Sequence, residues 1–368
     1  MRIERLTMTR MEIQFKISFK HAAAERSKTA SVWVEAVSSN GEITGYGEGC
    51  PRDYVTGENL NSALHWFNHH QISIVEDVSN IETLKQWIVS HNDDIDRNPA
   101  AWCAIELALL DLFGKMEGRS IDDLLSLPQV AGEFQYSAVL GDSSPADFER
   151  QVLHYFRAEF SDYKIKLSGK CEIDLEKISC LRKSTQPLRI RSDANNLWSK
   201  PEEVISYLKV LGQPFWAIEE PLSARNFSGL VEIASSLKVK IILDESFTTA
   251  WDFSFCADNP VLWIINFRIS KLGGLIRSLT LLSQARVYGF QVIIGAHVGE
   301  TSILTRAALS LASAATDIRV AMEGAFGTHL LTYDPCDPTI MFGEKGILHT
   351  KTFPVLHAPG NGLHIKQA

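Results

Sequence analysis

The sequence has few cysteines, no long apolar run and no concentration of basic residues, and each of these absences excludes a class of protein. The six cysteines among 368 residues show neither a CxxC pair nor zinc-type spacing. No apolar run reaches the length of about 18 residues that a membrane span needs. Residues 1–16 are charged throughout and lack the apolar core of a signal peptide. We therefore expect reduced thiols and a cytoplasmic location.

The overall charge and composition are those of an ordinary globular protein. The net charge is −8, with 45% hydrophobic and 22% charged residues. Because basic residues form no run, we expect neither nucleic acid nor a membrane surface as a partner. The length is sufficient for one barrel of about 250 residues together with a smaller domain.

Seven charged or polar residues recur at intervals of 25 to 27 residues, each where an apolar or β-branched run stops. A strand, a helix and two short loops take roughly this many residues. Residues at the ends of consecutive parallel strands converge only if the strands close into a barrel, whose C-terminal face carries the active site. The run FQYSAVLG ends near Leu140 and supplies the first strand. The pattern predicts an α/β enzyme with a (β/α)₈-type barrel, whose strands end at Lys166, Asp193, Glu219, Asp244, Lys271, His297 and Glu323.

Residues 1–134 do not follow this period. The segment MEIQFKISF alternates as a strand does, and two alternating runs around Ser39-Asn40-Gly41 predict a hairpin. A long helix is predicted from Asn98 to Gly118. We expect an α+β domain over 1–134, with a three-stranded sheet followed by helices. The barrel is predicted over 135–330, and a C-terminal segment, 331–368, is expected to fold back onto the N-terminal domain.

Three carboxylates are predicted at the ends of three adjacent strands. Oxygen donors that meet at one point suit a hard divalent cation such as Mg²⁺, and no His or Cys stands at these strand ends to favour zinc. The alternative is that the acids cap the helices that follow them. The sequence favours a magnesium site formed by Asp193, Glu219 and Asp244.

Three neighbours of these acids are expected to support the ligands. Asn195 follows Asp193 by two residues and is placed to contact the metal or its waters. Glu220 and Glu245 each follow a predicted ligand directly, so their side chains should point to the other side of the strand.

The predicted acid/base groups are lysines. Lys164 and Lys166 are two residues apart on one strand, so both should face the barrel interior. Each ammonium disfavours the charged form of the other, and a lysine with a lowered pKa is a suitable general base. Lys271 ends the sixth strand, opposite the second strand in a ring of eight. The alternative is that one is a solvated strand-end lysine and the other a surface lysine.

Together these groups favour one type of reaction. A metal-bound carboxylate with a base on either face suits removal of the proton α to the carboxylate, and the metal stabilises the resulting ene-diolate. With Lys166 and Lys271 on opposite faces, one lysine removes the proton and the other returns it. The expected reaction is racemisation or epimerisation.

The chain also resembles the enolase superfamily, in its muconate-lactonizing-enzyme subgroup. The resemblance covers nearly the whole chain and preserves the order and spacing of the motifs. They are KIK at 164–166, RSDANNLW at 191–198, AIEEPL at 217–222, ILDES at 242–246, ISKLGGL around Lys271, the helix AIELALLDLFGKMEG and the late PGNG.

This resemblance implies a capping domain built from the N-terminal segment and the C-terminal tail, closed over the barrel mouth. It implies the same three Mg²⁺ ligands and the same two catalytic lysines, with Lys164 touching the substrate carboxylate. By resemblance alone, a homo-oligomer is expected.

The last two strand ends fit the family pattern less closely. In the mandelate-racemase subgroup, a His that ends strand seven is the base, and an Asp that ends strand six orients it. In this sequence His297 is predicted at the first position, but Lys271 stands at the second. We therefore expect His297, with Glu300, to contact the substrate or support the loop. Dipeptide epimerases carry D-x-D at strand eight, whereas this chain has Ala321 and Glu323. Glu323 is expected to meet a substrate ammonium or a protein group.

Two loops of the N-terminal domain are candidates for distal substrate contacts, namely residues 19–27 and 51–57. Arg26, Lys28 and Arg52 are candidates to hold a distal carboxylate, and Tyr54 to close over an apolar group. The alternative is that they are ordinary exposed loop residues.

The expected substrate is a small carboxylate, either a dipeptide or an N-acylamino acid. A different reaction on the same scaffold stays open, namely an o-succinylbenzoate synthase-type dehydration or a muconate-type cycloisomerisation. These reactions need one lysine as the base and the other lysine as a cation near the enolate.

Overall fold

The computed structural model describes residues 2–21 and 24–366. Two residues of the predicted 19–27 loop, Ala22 and Ala23, lie outside the described residues. The N-terminal part combines strands and helices. Its elements are β1 (Ile3–Met11), β2 (Gln14–His21), β3 (Ala24–Lys28), β4 (Ser31–Ser38), β5 (Thr44–Gly49), α1 (Asp53–Thr56), α2 (Leu60–Asp77), α3 (Ile81–Ser90), α4 (Asn92–Arg97), α5 (Pro99–Glu117), α6 (Ile121–Leu124) and β6 (Glu133–Gln135).

The N-terminal sheet is antiparallel, in the order β1-β4-β5. Its β4–β5 hairpin forms where the sequence predicts it, around a turn in which Gly41 N donates to Ser38 O. The sequence predicts that MEIQFKISF joins the hairpin as the third strand of this sheet, and this is wrong. Strand β1 supplies the third strand, and β2 pairs with β3 as a separate ribbon. Both segments alternate, and alternation does not determine which strand pairs with which.

Helix α5 packs directly against strand β5, and the glycines of β5 make this close approach possible. A Cβ atom at Gly47 would lie 1.9 Å from Ala104 O, and one at Gly49 would lie 1.9 Å from Ala100 O. The predicted helix from Asn98 to Gly118 corresponds to α5, which has Pro99 in its first turn and ends at Gly118 in the left-handed conformation.

Eight parallel strands form the second part of the chain, with helices between them. The strands are β7 (Ala138–Leu140), β8 (Asp162–Lys166), β9 (Arg189–Asp193), β10 (Ala217–Glu219), β11 (Lys240–Leu243), β12 (Trp263–Phe267), β13 (Gln291–Ile294) and β14 (Arg319–Met322). The helices are α7 (Pro145–Arg157), α8 (Cys171–Leu181), α9 (Pro201–Leu211), α10 (Phe227–Leu237), α11 (Phe253–Cys256), α12 (Leu275–Tyr288) and α13 (Ser302–Ala314).

The strands follow one another around the sheet in sequence order, from β7 to β14. The first and last strands meet through a hydrogen bond from Ser137 N to Met322 O at 2.9 Å. The predicted (β/α)₈-type barrel with an α+β cap is confirmed. In this arrangement the C-terminal ends of all eight strands open onto one face.

The C-terminal segment lies against earlier parts of the chain. It contains β15 (Cys336–Asp337), β16 (Ile347–His349) and β17 (His364–Ile365), of which β16 pairs with β6. Near its end, Asn361 N donates to Asp111 Oδ1 of α5 at 2.8 Å. The domain bounds at 134 and 330 stay a prediction.

Two further observations concern the cysteines and the helices. All six cysteines are free thiols, and four of them are buried. Within residues 2–21 and 24–366, no helix combines the length and the apolar character that a membrane crossing requires.

Candidate active site

A cavity of about 860 Å³ lies at the C-terminal ends of the barrel strands. The N-terminal part covers it with residues 16–19 and Tyr54. Aromatic residues of its wall include Phe160, Phe326 and, from the C-terminal segment, Phe342. The polar side chains that reach the cavity from the barrel strands are Lys164, Lys166, Asn195, Arg268, His297 and Glu323.

The three predicted metal ligands stand together at the strand ends. Asp193 and Glu219 are the last residues of β9 and β10, Asp244 directly follows β11, and all three are buried. Lys164 Nζ lies 2.9 Å from Asp193 and 2.7 Å from Glu219, and Arg268 Nη2 lies 2.5 Å from Asp244 and 3.6 Å from Glu219. Two cations therefore connect the three carboxylates.

These contacts set the charge of the acids. Burial raises the pKa of Glu219 to about 7, and the nearby Asp193 carboxylate adds to this effect. Burial acts in the same direction on Asp193, but the ammonium groups of Lys164 and Lys166 outweigh it and hold its pKa well below the usual range.

The donor chemistry of the three acids fits Mg²⁺, since it consists of carboxylate oxygens alone. Within the described part of the chain, no group of three or more His, Cys, Asp or Glu side chains lies close enough to hold a metal ion. Lys164 and Arg268 instead form ion pairs with these carboxylates. The set fits the ion in the type of its ligands.

Lys164 and Lys166 both reach the barrel interior, as predicted. Lys166 Nζ donates to Asp193 Oδ2 at 2.5 Å and to Asn195 Oδ1 at 2.8 Å. The expectation that each lysine has a lowered pKa is wrong for Lys164. Burial lowers its pKa, but the charges of Asp193, Glu219 and Glu323 outweigh burial and raise it above the usual value.

The geometry corrects the position predicted for Lys271. Its ammonium donates to the main-chain oxygens of Asp244 at 2.9 Å and Asn266 at 2.7 Å, and to Asp244 Oδ1 at 3.1 Å. In the described part of the chain Arg268, and not Lys271, forms the cavity wall at this strand. The spacing placed Lys271 at the strand end, but β12 ends at Phe267, one residue before Arg268.

The three predicted supporting residues contact groups around the acids. Glu220 accepts hydrogen bonds from Asp244 N and from the N and Oγ of Ser246, each at 2.7 Å. It therefore fixes the turn that carries Asp244. Asn195 accepts from Lys166, and its Nδ2 donates to Glu245 Oε1 at 3.4 Å.

His297 is buried and reaches the cavity. Its Nδ1 lies 3.3 Å from Arg268 Nη1, and its main-chain N donates to Glu300 Oε1 at 2.6 Å. Burial and nearby cations, first Arg268, hold the pKa of His297 well below its usual value. Burial also raises the pKa of Glu300 to about 8. Glu300 thus supports the loop that carries His297.

Glu323 meets protein groups. Its carboxylate accepts from Arg191 Nη2 at 2.9 Å and lies 3.2 Å from Lys164 Nζ. Sequence reasoning missed Arg191 and Arg268. Arg191 stands two residues before Asp193 on β9, so the same alternation that places Lys164 and Lys166 inside the barrel would have placed Arg191 there.

The predicted contacts from the N-terminal domain separate into two groups. Tyr54 lines the cavity, and the Arg26 guanidinium lies 6.0 Å from its ring centre. Arg52 is buried and donates to the main-chain oxygens of Ala30, Pro51 and Val298, so it is a structural residue. Lys28 pairs with Glu12 at an exposed site.

Comparisons with known proteins agree with this architecture. The model of the family described as enolase C-terminal domain-like matches residues 147–368. A hydrophobic dipeptide epimerase of Enterococcus faecalis is 27% identical over 335 residues, covering 89% of this chain and 92% of that protein. An N-succinyl-L-Arg/Lys racemase of Bacillus cereus is 24% identical over 317 residues, covering 85% of this chain and 84% of that protein.

A solved structure shows the same fold. It is the dipeptide epimerase of Enterococcus faecalis in complex with Mg and the dipeptide L-Leu-L-Tyr. It superimposes with a TM-score of 0.82 at 24% identity and covers 99% of both chains.

Proposed function

The chain belongs to the enolase C-terminal domain-like family and is an isomerase of the enolase superfamily, in its muconate-lactonizing-enzyme subgroup, and from that premise we propose its reaction. It removes the proton α to a carboxylate and returns a proton to the same carbon, with Mg²⁺ as cofactor. The substrate is a dipeptide or an N-acylamino acid, which is racemised or epimerised.

The observation that carries this proposal is the position of Lys166. Its side-chain nitrogen stands in the cavity wall beside the buried carboxylate of Asp193, and Asp193 and Asn195 orient it. A lysine held by two fixed acceptors presents its nitrogen in a defined direction, which general-base catalysis requires. Lys166 is therefore the proposed base.

The proposed magnesium ligands are Asp193, Glu219 and Asp244. When bound there, Mg²⁺ would stabilise the negative charge that develops on the substrate carboxylate. Glu220 fixes the Asp244 turn through three hydrogen bonds, and Lys164 lies beside the substrate site. The relatives support the ion, since the Enterococcus epimerase structure is a complex with Mg and a dipeptide.

The cavity wall supports a substrate with an apolar part. Aromatic side chains such as Phe326 and Phe342 line it, with Tyr54 from the covering domain. Apolar surfaces of this kind favour an apolar side chain or acyl group. The likeness to a hydrophobic dipeptide epimerase and to an N-succinylamino-acid racemase supports both substrate types.

A second candidate function is favoured by Arg268. Racemisation needs a proton donor on the face opposite Lys166. For Lys271 to act there, its ammonium would have to leave the carbonyl oxygens of Asp244 and Asn266. A dehydratase or cycloisomerase reaction needs only a cation near the enolate, and a guanidinium is such a cation. The second candidate is thus an o-succinylbenzoate synthase-type or muconate-type reaction.

One experiment separates the two candidates. The enzyme is incubated with Mg²⁺ in D₂O with a library of dipeptides and N-acylamino acids, and separately with a β-hydroxycarboxylate and with an unsaturated dicarboxylate such as muconate. The products are analysed by mass and by chiral chromatography. A racemase introduces deuterium at the α carbon of both stereoisomers. A dehydratase yields a product that lacks water, and a cycloisomerase yields an isomer without exchange of the starting material. The absence of both exchange and product across these substrate classes contradicts the proposed function.

We also propose that the protein is a homo-oligomer that acts in the cytoplasm, on the family likeness and on the sequence features above. Light scattering of the purified protein measures the first property, and fractionation of the source cells measures the second.

A further inference from the structure

The pair formed by Arg268 and His297 defines which ring nitrogen of His297 carries a proton. The 3.3 Å contact joins Arg268 Nη1 to His297 Nδ1. A guanidinium has hydrogen-bond donors only, so Nδ1 has to be the acceptor. In a neutral imidazole the proton is then on Nε2. The contact therefore favours the Nε2–H tautomer.

The surroundings keep this ring neutral. The charged groups that act on it most strongly are cations, namely Arg268, Arg52, Lys271 and Arg26. The carboxyl group of Glu300 contacts the main-chain N of His297. A second proton on Nδ1 would point at the guanidinium, so the geometry by itself disfavours the imidazolium.

The backbone around His297 is held on both sides. His297 N donates to Glu300 Oε1 at 2.6 Å, and the next carbonyl, Val298 O, accepts from Arg52 Nη2 at 3.0 Å. Arg52 comes from the N-terminal domain, so both parts of the protein fix this loop. A donor that is fixed before the ligand binds loses little entropy on binding.

We propose that His297 is a specificity residue that donates a hydrogen bond through Nε2 to a carbonyl or carboxylate oxygen of the substrate, with its tautomer set by Arg268. His297 lines the cavity, and its ring contact with Arg268 is made through Nδ1, on the opposite edge of the ring from Nε2. This proposal rests on the proposed function, because it takes this cavity as the substrate site. It assigns His297 to binding and leaves proton abstraction to Lys166.

The tautomer is measured without any substrate. Nitrogen-15 NMR of protein labelled at histidine distinguishes a bare Nδ1 from a protonated one, and the spectrum of His297→Asn identifies the His297 signals by their loss. We expect a protonated Nε2 and a bare Nδ1 at neutral pH. A protonated Nδ1, in either the other tautomer or the imidazolium, overturns the proposal.

Two substitutions then test the donor. In His297→Gln the side-chain amide reaches about the position of Nε2, whereas in His297→Asn it reaches about that of Nδ1. We expect kcat/KM of the Gln variant to exceed that of the Asn variant by about tenfold, mainly through KM, as for the loss of one hydrogen bond of about 1.4 kcal/mol. Equal kcat/KM values, or a loss confined to kcat, overturn the proposal. Failure of the wild-type enzyme to act on any library substrate contradicts the proposed function and leaves the NMR result to decide the tautomer.

Discussion

Arg191 and Glu323 form an ion pair inside the barrel, with 2.9 Å between Nη2 and Oε1. Arg191 belongs to β9, the third barrel strand, and Glu323 directly follows β14, the eighth. The same carboxylate lies 3.2 Å from Lys164, so it is shared between two cations. These charges outweigh burial and lower the pKa of Glu323 to about 2. Glu323 therefore has protein partners for its charge.

Removing Arg191 should destabilise the fold. Arg191 is fully buried, and Arg191→Met leaves Glu323 with Lys164 alone and Asp162 with only the half-exposed Arg189. We expect the free energy of unfolding to fall by about 3–5 kcal/mol, as measured by urea denaturation. Arg189→Met is the matched control, because Arg189 pairs with the same Asp162 at a half-exposed site and should change stability by about 1 kcal/mol or less. Equal losses in the two variants would show that burial of the pair is unimportant.

Replacing Lys166 should remove the base. We expect Lys166→Ala to lower kcat by about 10²–10⁴-fold, with a circular dichroism spectrum like that of the wild type. The measurement is deuterium exchange at the α carbon in D₂O. Lys183→Ala, at an exposed position in the turn after α8, is the control and should keep full activity. Exchange at the wild-type rate in Lys166→Ala would exclude Lys166 as the base.

Replacing Lys271 should mainly lower the stability of the folded protein. Lys271→Met removes three hydrogen bonds and one buried charge beside Asp244. The expected loss in the free energy of unfolding is about 3–5 kcal/mol, measured with urea. If the variant is instead as stable as the wild type and has lost turnover, Lys271 is an acid/base catalyst, as the sequence predicts.

The metal site is tested with Asp244. Chelation by EDTA should abolish turnover, and added Mg²⁺ should restore it. We expect Asp244→Asn to need at least about tenfold more Mg²⁺ for half-maximal activity, because a neutral amide is a weaker ligand than a carboxylate. The control is Asp258→Asn, outside the cavity wall. An unchanged Mg²⁺ requirement would remove Asp244 from the ligand set.

A pH dependence of stability is expected from Glu106. This buried residue of α5 accepts from Ile276 N at the start of α12, and burial raises its pKa to about 7 from an ordinary 4.5. Because the folded-state pKa is the higher one, its stabilising contribution is complete below pH 4.5 and is lost as the pH rises through about 7.

Glu106→Gln should therefore lose less stability than the wild type over that range. The difference should be at most about 3 kcal/mol, measured by urea denaturation at several pH values. Glu203→Gln, at an exposed position of α9, is the control. If Glu106→Gln follows the wild-type pH curve, the carboxylate is charged in the folded protein.

The repeated strand ends were sufficient to predict the barrel and the grouping of the three acids. Strand length and alternation are local properties, and Lys164, Lys166, Asp193 and Glu219 follow from them directly. The position of Lys271 was not predictable in the same way. Its position depends on where β12 ends. The three residues from Arg268 to Lys271 move a side chain from the cavity wall to the main-chain oxygens of Asn266, on β12 itself, and of Asp244, after β11.

The partners of the charged residues were also not predictable from the sequence. Nothing in the spacing indicates that Arg191 meets Glu323, since the two are 132 residues apart. In the same way, Arg52 is a plausible ligand for a carboxylate in the sequence, but the fold places carbonyl oxygens around it. Such pairings are decided by the closure of the barrel and the seating of the N-terminal domain.

The contacts of the C-terminal segment affect how the chain completes its fold during synthesis. Gly360 N donates to Arg119 O, and Asn361 N donates to Asp111, 250 residues earlier. Residues 360 and 361 leave the ribosome only after the whole barrel has been made. The N-terminal domain therefore acquires these contacts late. Until then Asp111 of α5 lacks the donor that Asn361 provides, and the nascent chain is more exposed to proteases and to aggregation there.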